Sequence, residues 1–133
     1  MRKRLRLQLK VAKLRGFDGD LCFYCGQPMQ FTPPPDVGAQ WKGKHRATVE
    51  HLIDRKFGGT RDVFNAVLAH GRCNSDRSHM TLAEKLASRH ADALPVPMRV
   101  QQTISQPERT LSLMRANRRS HGVELSRLAP FQK

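Results

Sequence analysis

Two half-sites of identical spacing constrain this chain more than any other feature: Cys22-x-x-Cys25 near its start and His70-x-x-Cys73 well downstream. In each pair a knuckle turn can aim two donors at one point, and three thiols with one imidazole make a tetrahedral donor set suited to zinc. Gly26, directly after the first pair, lets the backbone bend around such an ion. The three cysteines do not make a disulfide framework. No thioredoxin-like strand–helix–strand context surrounds Cys22 and Cys25, so they read as metal ligands in a reducing compartment.

A chain of 133 residues is long enough for one domain with extensions and too short for two sizeable cores. A structural ion would offset the smallness of that core. Basic residues outnumber acidic ones by 24 to 11, a formal charge of +13. That imbalance favours a polyanionic partner, most simply nucleic acid. An anionic membrane would want a helix with one clearly apolar face. No apolar run is long enough to span a bilayer, and the basic N-terminus has no apolar core or cleavage site of a secretory signal. The expected location is cytoplasmic, in a bacterial or phage-encoded context.

Between the half-sites lies the densest chemistry. Thr48 and Val49 open a β-branched run that ends on Glu50 and His51; Gly58-Gly59 follows, then Asn65, then Ala66 to Ala69 as a returning strand. His51 is a candidate general base, because an imidazole titrates near neutrality. Glu50 and Asn74 offer hard oxygens suited to magnesium or manganese, which keep several waters and take few protein ligands. Phosphodiester hydrolysis needs such a base and such a cation. Neighbours in a strand face opposite sides, so a local twist must bring Glu50 and His51 to one phosphate.

Along the chain, residues 1–16 carry seven Lys or Arg and no acid. Leu5, Leu9, Ala12 and Leu14 can share one helical face, while Leu5, Leu7, Leu9 and Val11 also alternate as in a strand. Leu, Arg, Lys, Gln and Ala are good helix formers, so the segment reads as a basic helix stopped by Gly16. Phe17 to Met29 reads as a tight hairpin turning at Asp18-Gly19, with Phe23 and Tyr24 as core. The Pro33-Pro34-Pro35 run makes residues 31–44 a loop, with Trp41 expected over the core. Residues 74–79 should form a helical turn. Thr81-x-x-Glu84 is a capping box, opening a helix whose Leu82, Leu86, Ala83 and Ala87 face inward. A boundary is expected at Pro95-Val-Pro97. A further helix is expected from Ser105, with Leu111 and Met114 as a thin stripe and Arg115, Arg118 and Arg119 near its end.

Val49-Glu50-His51-Leu52-Ile53, Gly58-Gly59, Asn65 and Cys73-Asn74, framed by the two half-sites, resemble the HNH nuclease family in its zinc-knuckle form. His51, Asn65 and Asn74 stand fourteen and nine residues apart, a spacing familiar in that family. The resemblance spans roughly Cys22 to Glu84. It implies an α+β, small ββα-metal fold stapled by a structural zinc on Cys22, Cys25, His70 and Cys73. His51 would be the general base, Asn65 would order the loop and orient His51, and Glu50 with Asn74 would bind a catalytic magnesium or manganese. The activity implied is a metal-dependent DNA endonuclease leaving 5′-phosphate and 3′-hydroxyl ends, acting on double-stranded DNA. Two positions depart from the pattern: Asp54 stands where a proline is common, and His70 replaces a usual cysteine.

The resulting division is a basic N-terminal extension over 1–16, a nuclease domain over 17–94 and a basic, partly helical extension over 95–133. Candidate nucleic-acid contacts are Arg2, Lys3, Arg4 and Arg6 in the first segment, and Arg46, Arg55, Lys56, Arg72 and Arg77 around the central stretch. His79 reads as a surface residue, and His45, His90 and His121 carry no assignment. The rival reading is a non-enzymatic, zinc-stapled DNA- or RNA-binding module, in which Glu50 and Asn74 would have no task.

Overall fold

The computed structural model describes residues 2–32 and 43–105. Trp41 and the helix expected beyond Ser105 lie outside the described residues. The elements run α1 (Arg2–Asp18), β1 (Ala47–His51), β2 (Ala66–His70), α2 (Gly71–Asp76), α3 (Leu82–Ala87) and α4 (Met98–Ser105), with single 3-10 turns at Arg55–Phe57 and Val63–Asn65. The result is a small mixed structure of helices around a two-stranded antiparallel sheet.

Helix α1 passes through Gly16 and stops two residues later. Gly19 takes φ +80 and its N–H bonds the Arg15 carbonyl at 2.8 Å, a left-handed close that glycine adopts at no steric cost. Phe17 and Asp18 therefore belong to the helix, and Asp18-Gly19 is its end rather than a hairpin turn. The inward stripe is Lys10, Val11, Leu14 and Asp18, not the expected Leu5, Leu9 and Ala12. Leu5, Leu7 and Leu9 are 57%, 54% and 62% exposed. The cause is length: seventeen helical residues reach about 25 Å, whereas five-residue strands reach about 16 Å. The N-terminal turns overhang the core.

After α1 the chain makes a tight reversal with one bridge, Leu21 to Pro28, and no extended strand. Cys22 N–H bonds Gln27 O at 2.9 Å and Met29 N–H bonds Asp20 O at 2.8 Å. Strands β1 and β2 pair in the register Ala47↔His70, Val49↔Leu68 and His51↔Ala66. On the far edge of β2, Phe23 N–H bonds Leu68 O at 3.0 Å. With neighbours on both edges and both faces, all five residues of β2 are buried. The core gathers Leu14, Phe23, Tyr24, Leu52, Val67, Leu68 and Val100 around it, so Phe23 and Tyr24 are core residues.

Helix α2 begins at Gly71, directly after β2, and Asn74 lies inside it. The capping box of α3 is complete: the Thr81 hydroxyl accepts from Glu84 N–H at 3.3 Å and Glu84 Oε1 accepts from Thr81 N–H at 3.1 Å. Its inward face differs from expectation. Leu82 and Leu86 are half-buried, Ala83 and Ala87 are exposed, and Lys85 is fully buried. Helix α4 lies beyond Pro95-Val-Pro97, yet it packs on the rest: Val100 and Thr103 are buried. Arg99 grips both Asp18 carboxylate oxygens at 2.5 and 2.8 Å and the Ala66 and Val63 carbonyls at 2.6 and 2.9 Å. No helix among the described residues is long and apolar enough to cross a membrane.

Candidate functional site

The sheet carries two clusters at opposite ends. At one end, Cys22, Cys25, His70 and Cys73 bring their donor atoms within 4.8 Å of one another, close enough to hold a metal such as zinc. Gly26 closes the first turn with φ +76 and its N–H on the Cys22 carbonyl at 2.9 Å. His70 ends β2 and Cys73 sits in the first turn of α2, so the strand-to-helix junction presents the second pair. His70 Nδ1 faces the sulfurs, 3.2 Å from Cys25 Sγ and 3.9 Å from Cys73 Sγ. Its Nε2 lies 2.9 Å from the Pro28 carbonyl. A carbonyl only accepts, so Nε2 carries the hydrogen and Nδ1 keeps the lone pair a metal needs. Burial and the neighbouring thiols push the Cys73 thiol up to about 12, and a bound cation would reverse that by favouring thiolate. His79 is exposed and stands outside the quartet. Among the described residues, this is the one cluster of three or more His, Cys, Asp or Glu donors.

At the other end of the sheet, Asn65 clasps the loop that follows β1. It is fully buried; its Oδ1 accepts from Ile53 N–H at 2.8 Å, and its Nδ2 donates to Ile53 O and Thr60 O at 2.9 and 2.8 Å. Leu52 N–H bonds the Asn65 carbonyl at 3.0 Å. Gly58 sits at φ +89, and a Cβ on Gly59 would stand 1.6 Å from the Ile53 oxygen. The two glycines and Asn65 thus form one device that holds the chain just beyond His51.

His51 is half-buried at the end of β1. Lys10 of α1 places Nζ 3.1 Å from His51 Nε2 and also donates to the Arg61 carbonyl. Burial first, then the charges of Lys10 and Arg61, lower the His51 pKa to about 4. At neutral pH the ring is uncharged, the form in which an imidazole accepts a proton.

Glu50 faces the other way, because β1 stays regular through His51; the twist expected to turn both side chains to one phosphate is not present. Its carboxylate is buried, accepting from Tyr24 Oη at 2.8 Å and from Lys85 Nζ at 3.4 Å. Lys85 also donates to the His51 carbonyl at 3.0 Å and to Asp54 at 3.1 Å. Asp54 therefore serves as a counter-ion for Lys85. Burial raises the Glu50 pKa above the ordinary carboxylate value despite these donors. Asn74 is tied to β1, its Nδ2 donating to Thr48 Oγ1 at 3.2 Å and Val49 O at 3.1 Å. Its amide oxygen is thereby turned away from the strand. No hydrogen bond joins Glu50 to Asn74 or to His51 among the described residues. Both Glu50 oxygens are thus engaged, Oε2 by the Tyr24 hydroxyl and Oε1 by the buried Lys85 ammonium.

Of the basic candidates, Arg2, Lys3, Arg4, Arg6, Arg55, Lys56 and Arg72 are exposed, and Arg46 is half-buried. Lys44, Arg46 and Arg72 line a cleft of about 490 Å³ that includes Asn74. Arg77 is turned inward: it lies over the Tyr24 ring at 4.3 Å and donates to the Cys73 carbonyl at 2.9 Å and to Ser88. That geometry makes it a brace for the turn that carries Cys73. Lys10, Lys85 and Arg99 escaped the sequence reading because each meets partners distant in the chain. Only the i, i+4 spacing of Lys10 with the buried Leu14 and of Leu14 with Asp18 hints at an inward Lys10. Comparison with protein-family models, with curated proteins and with solved structures gives no match for this chain.

Proposed function

We propose that the chain is an HNH-type DNA endonuclease that hydrolyses phosphodiester bonds to 5′-phosphate and 3′-hydroxyl ends, with zinc on the Cys22, Cys25, His70, Cys73 quartet. The observation that carries the reading is one continuous strand–strand–helix run. It bears an uncharged His51 at the end of β1, the Asn65 clasp in the loop, Asn74 on α2, and a metal-capable quartet at the opposite end.

In this reading His51 Nε2 takes a proton from water, whose oxygen attacks phosphorus as the P–O3′ bond breaks and O3′ leaves to be protonated by solvent. Asn65 fixes the loop that follows the base, and Lys85 holds the His51 carbonyl in place. Glu50 and Asn74 would hold a magnesium or manganese ion, which when bound supplies positive charge to the phosphate; this requires the Glu50 carboxylate to leave Tyr24 and Lys85 and turn toward the His51 side of β1. The exposed basic residues neutralise backbone phosphates on either side.

Supercoiled plasmid incubated with magnesium or manganese, against the same mixture with EDTA, tests the reading. Nicked or linear product only with metal, with sequenced ends bearing 5′-phosphates, supports it. The engagement of both Glu50 oxygens by Tyr24 and Lys85 favours a second reading, a nucleic-acid-binding zinc module. Tight plasmid binding with no cleavage under any metal selects that one.

A further inference from the structure

Resting on the nuclease reading, we propose that Lys10 is a catalytic residue of that reaction, its ammonium binding a non-bridging oxygen of the scissile phosphate. Three observations carry this. Arg2 to Leu9 are all exposed, whereas Lys10 is half-buried and reaches from α1 to the end of β1. Its Nζ stands 3.1 Å from His51 Nε2 and donates also to the Arg61 carbonyl. Those two contacts use two of the three N–H groups of an ammonium, and the Asp62 carboxylate lies near enough to favour its positive charge.

The geometry makes the role specific. A base in action lies within hydrogen-bond reach of the attacking water, and that water lies about 3–3.5 Å from phosphorus. A cation in hydrogen-bond contact with the base is therefore one water away from the phosphoryl oxygens, on which negative charge builds as the bond to water forms. In the free protein the ammonium donates to the very lone pair that must accept the proton. Transfer of that N–H from His51 Nε2 to the phosphate oxygen frees the base and places a positive charge on the transition state in one movement. The flexible four-carbon stem allows it while Arg61 O keeps the ammonium near. Nothing else in the bond changes moves: His51 takes the proton from water, oxygen bonds to phosphorus, and O3′ departs.

The test uses the full chain, a short duplex and saturating magnesium, comparing wild type, Lys10→Met and Lys10→Arg. Met keeps the apolar stem packed against α1's neighbours, and thermal melts confirm folding. Expected are a loss of about 10²-fold in single-turnover rate for Lys10→Met, a change in DNA Kd of no more than about threefold, and partial recovery in Lys10→Arg. A Lys10→Met protein that cuts as fast as wild type, or faster, overturns the proposal and makes the contact a brake on His51. Equal losses in folded Lys10→Met and Lys10→Arg, accompanied by a matching loss of DNA binding, also overturn it. A wild type that leaves the duplex intact removes the nuclease reading and Lys10 with it; a wild type that cuts beside an equally fast variant removes Lys10 alone.

Discussion

Glu50 and His51 are neighbours in the chain and look to opposite sides of β1. The Glu50 carboxylate meets Tyr24 and Lys85, while the His51 ring meets Lys10 of α1. Strand alternation alone dictates this. What joins the two sides is Lys85, which bonds the carboxylate of one residue and the carbonyl of the other. A shift in Glu50 is thereby felt at the backbone of His51.

His51 should titrate far below an ordinary histidine. Its pKa of about 4 lies under the unfolded value of about 6.5, so between those pH values the unfolded chain binds more protons than the folded one. Stability should therefore fall as pH drops from about 6.5 toward 4. NMR of the imidazole should give a midpoint near 4, moving upward in Lys10→Met. A midpoint near 6.5 in the wild type would mean that the ring is neither buried nor beside Lys10.

Lys85→Met should destabilise the fold by about 3–5 kcal/mol, since it strands the buried Glu50 carboxylate. Pairing it with Glu50→Gln should recover part of the loss, because the stranded charge is gone. Urea midpoints of the single and double variants measure this; a double variant no better than Lys85→Met contradicts the pairing.

The parts of the molecule that are local in sequence were legible. Equal three-residue steps revealed the metal-capable quartet, and Thr81 with Glu84 announced the start of α3. The helix-forming residues of the first segment announced α1. What stayed hidden depends on encounters across the fold. Lys85 looks like any solvated lysine until residues 50, 51 and 54 converge on it. Arg99 meets Asp18 across 81 residues of chain, which ties α4 to the unit that was expected to end before it. Leu5, Leu9 and Ala12 promised a buried face, but α1 outruns the sheet it rests on.

Asn65→Ala should loosen the loop after β1. Three side-chain hydrogen bonds at about 1 kcal/mol net each imply a loss near 3 kcal/mol. Gly59→Ala should be at least as damaging, as its Cβ would overlap the Ile53 carbonyl. Amide exchange at Ile53 and Leu52 should accelerate in both variants; unchanged protection would deny Asn65 its role as the clasp.

Metal removal should unfold the chain, and the four ligands should not be interchangeable with nearby histidines. His70→Ala should lose zinc and cooperative unfolding, His70→Cys should restore a four-thiolate site, and His79→Ala should keep one metal per chain. Metal analysis by mass spectrometry under native conditions checks each. Zinc retained by His70→Ala and lost by His79→Ala would reverse the assignment.

The most direct measurement is the single-turnover cleavage rate of His51→Ala beside wild type, on one duplex, with magnesium, at matched zinc content and DNA occupancy. A general base is worth roughly 10²–10⁴-fold. The predicted result is a loss of that size with DNA affinity and zinc stoichiometry unchanged. A His51→Ala protein that cuts at most of the wild-type rate would contradict the assignment of His51 as the base and, with it, the nuclease reading of this site.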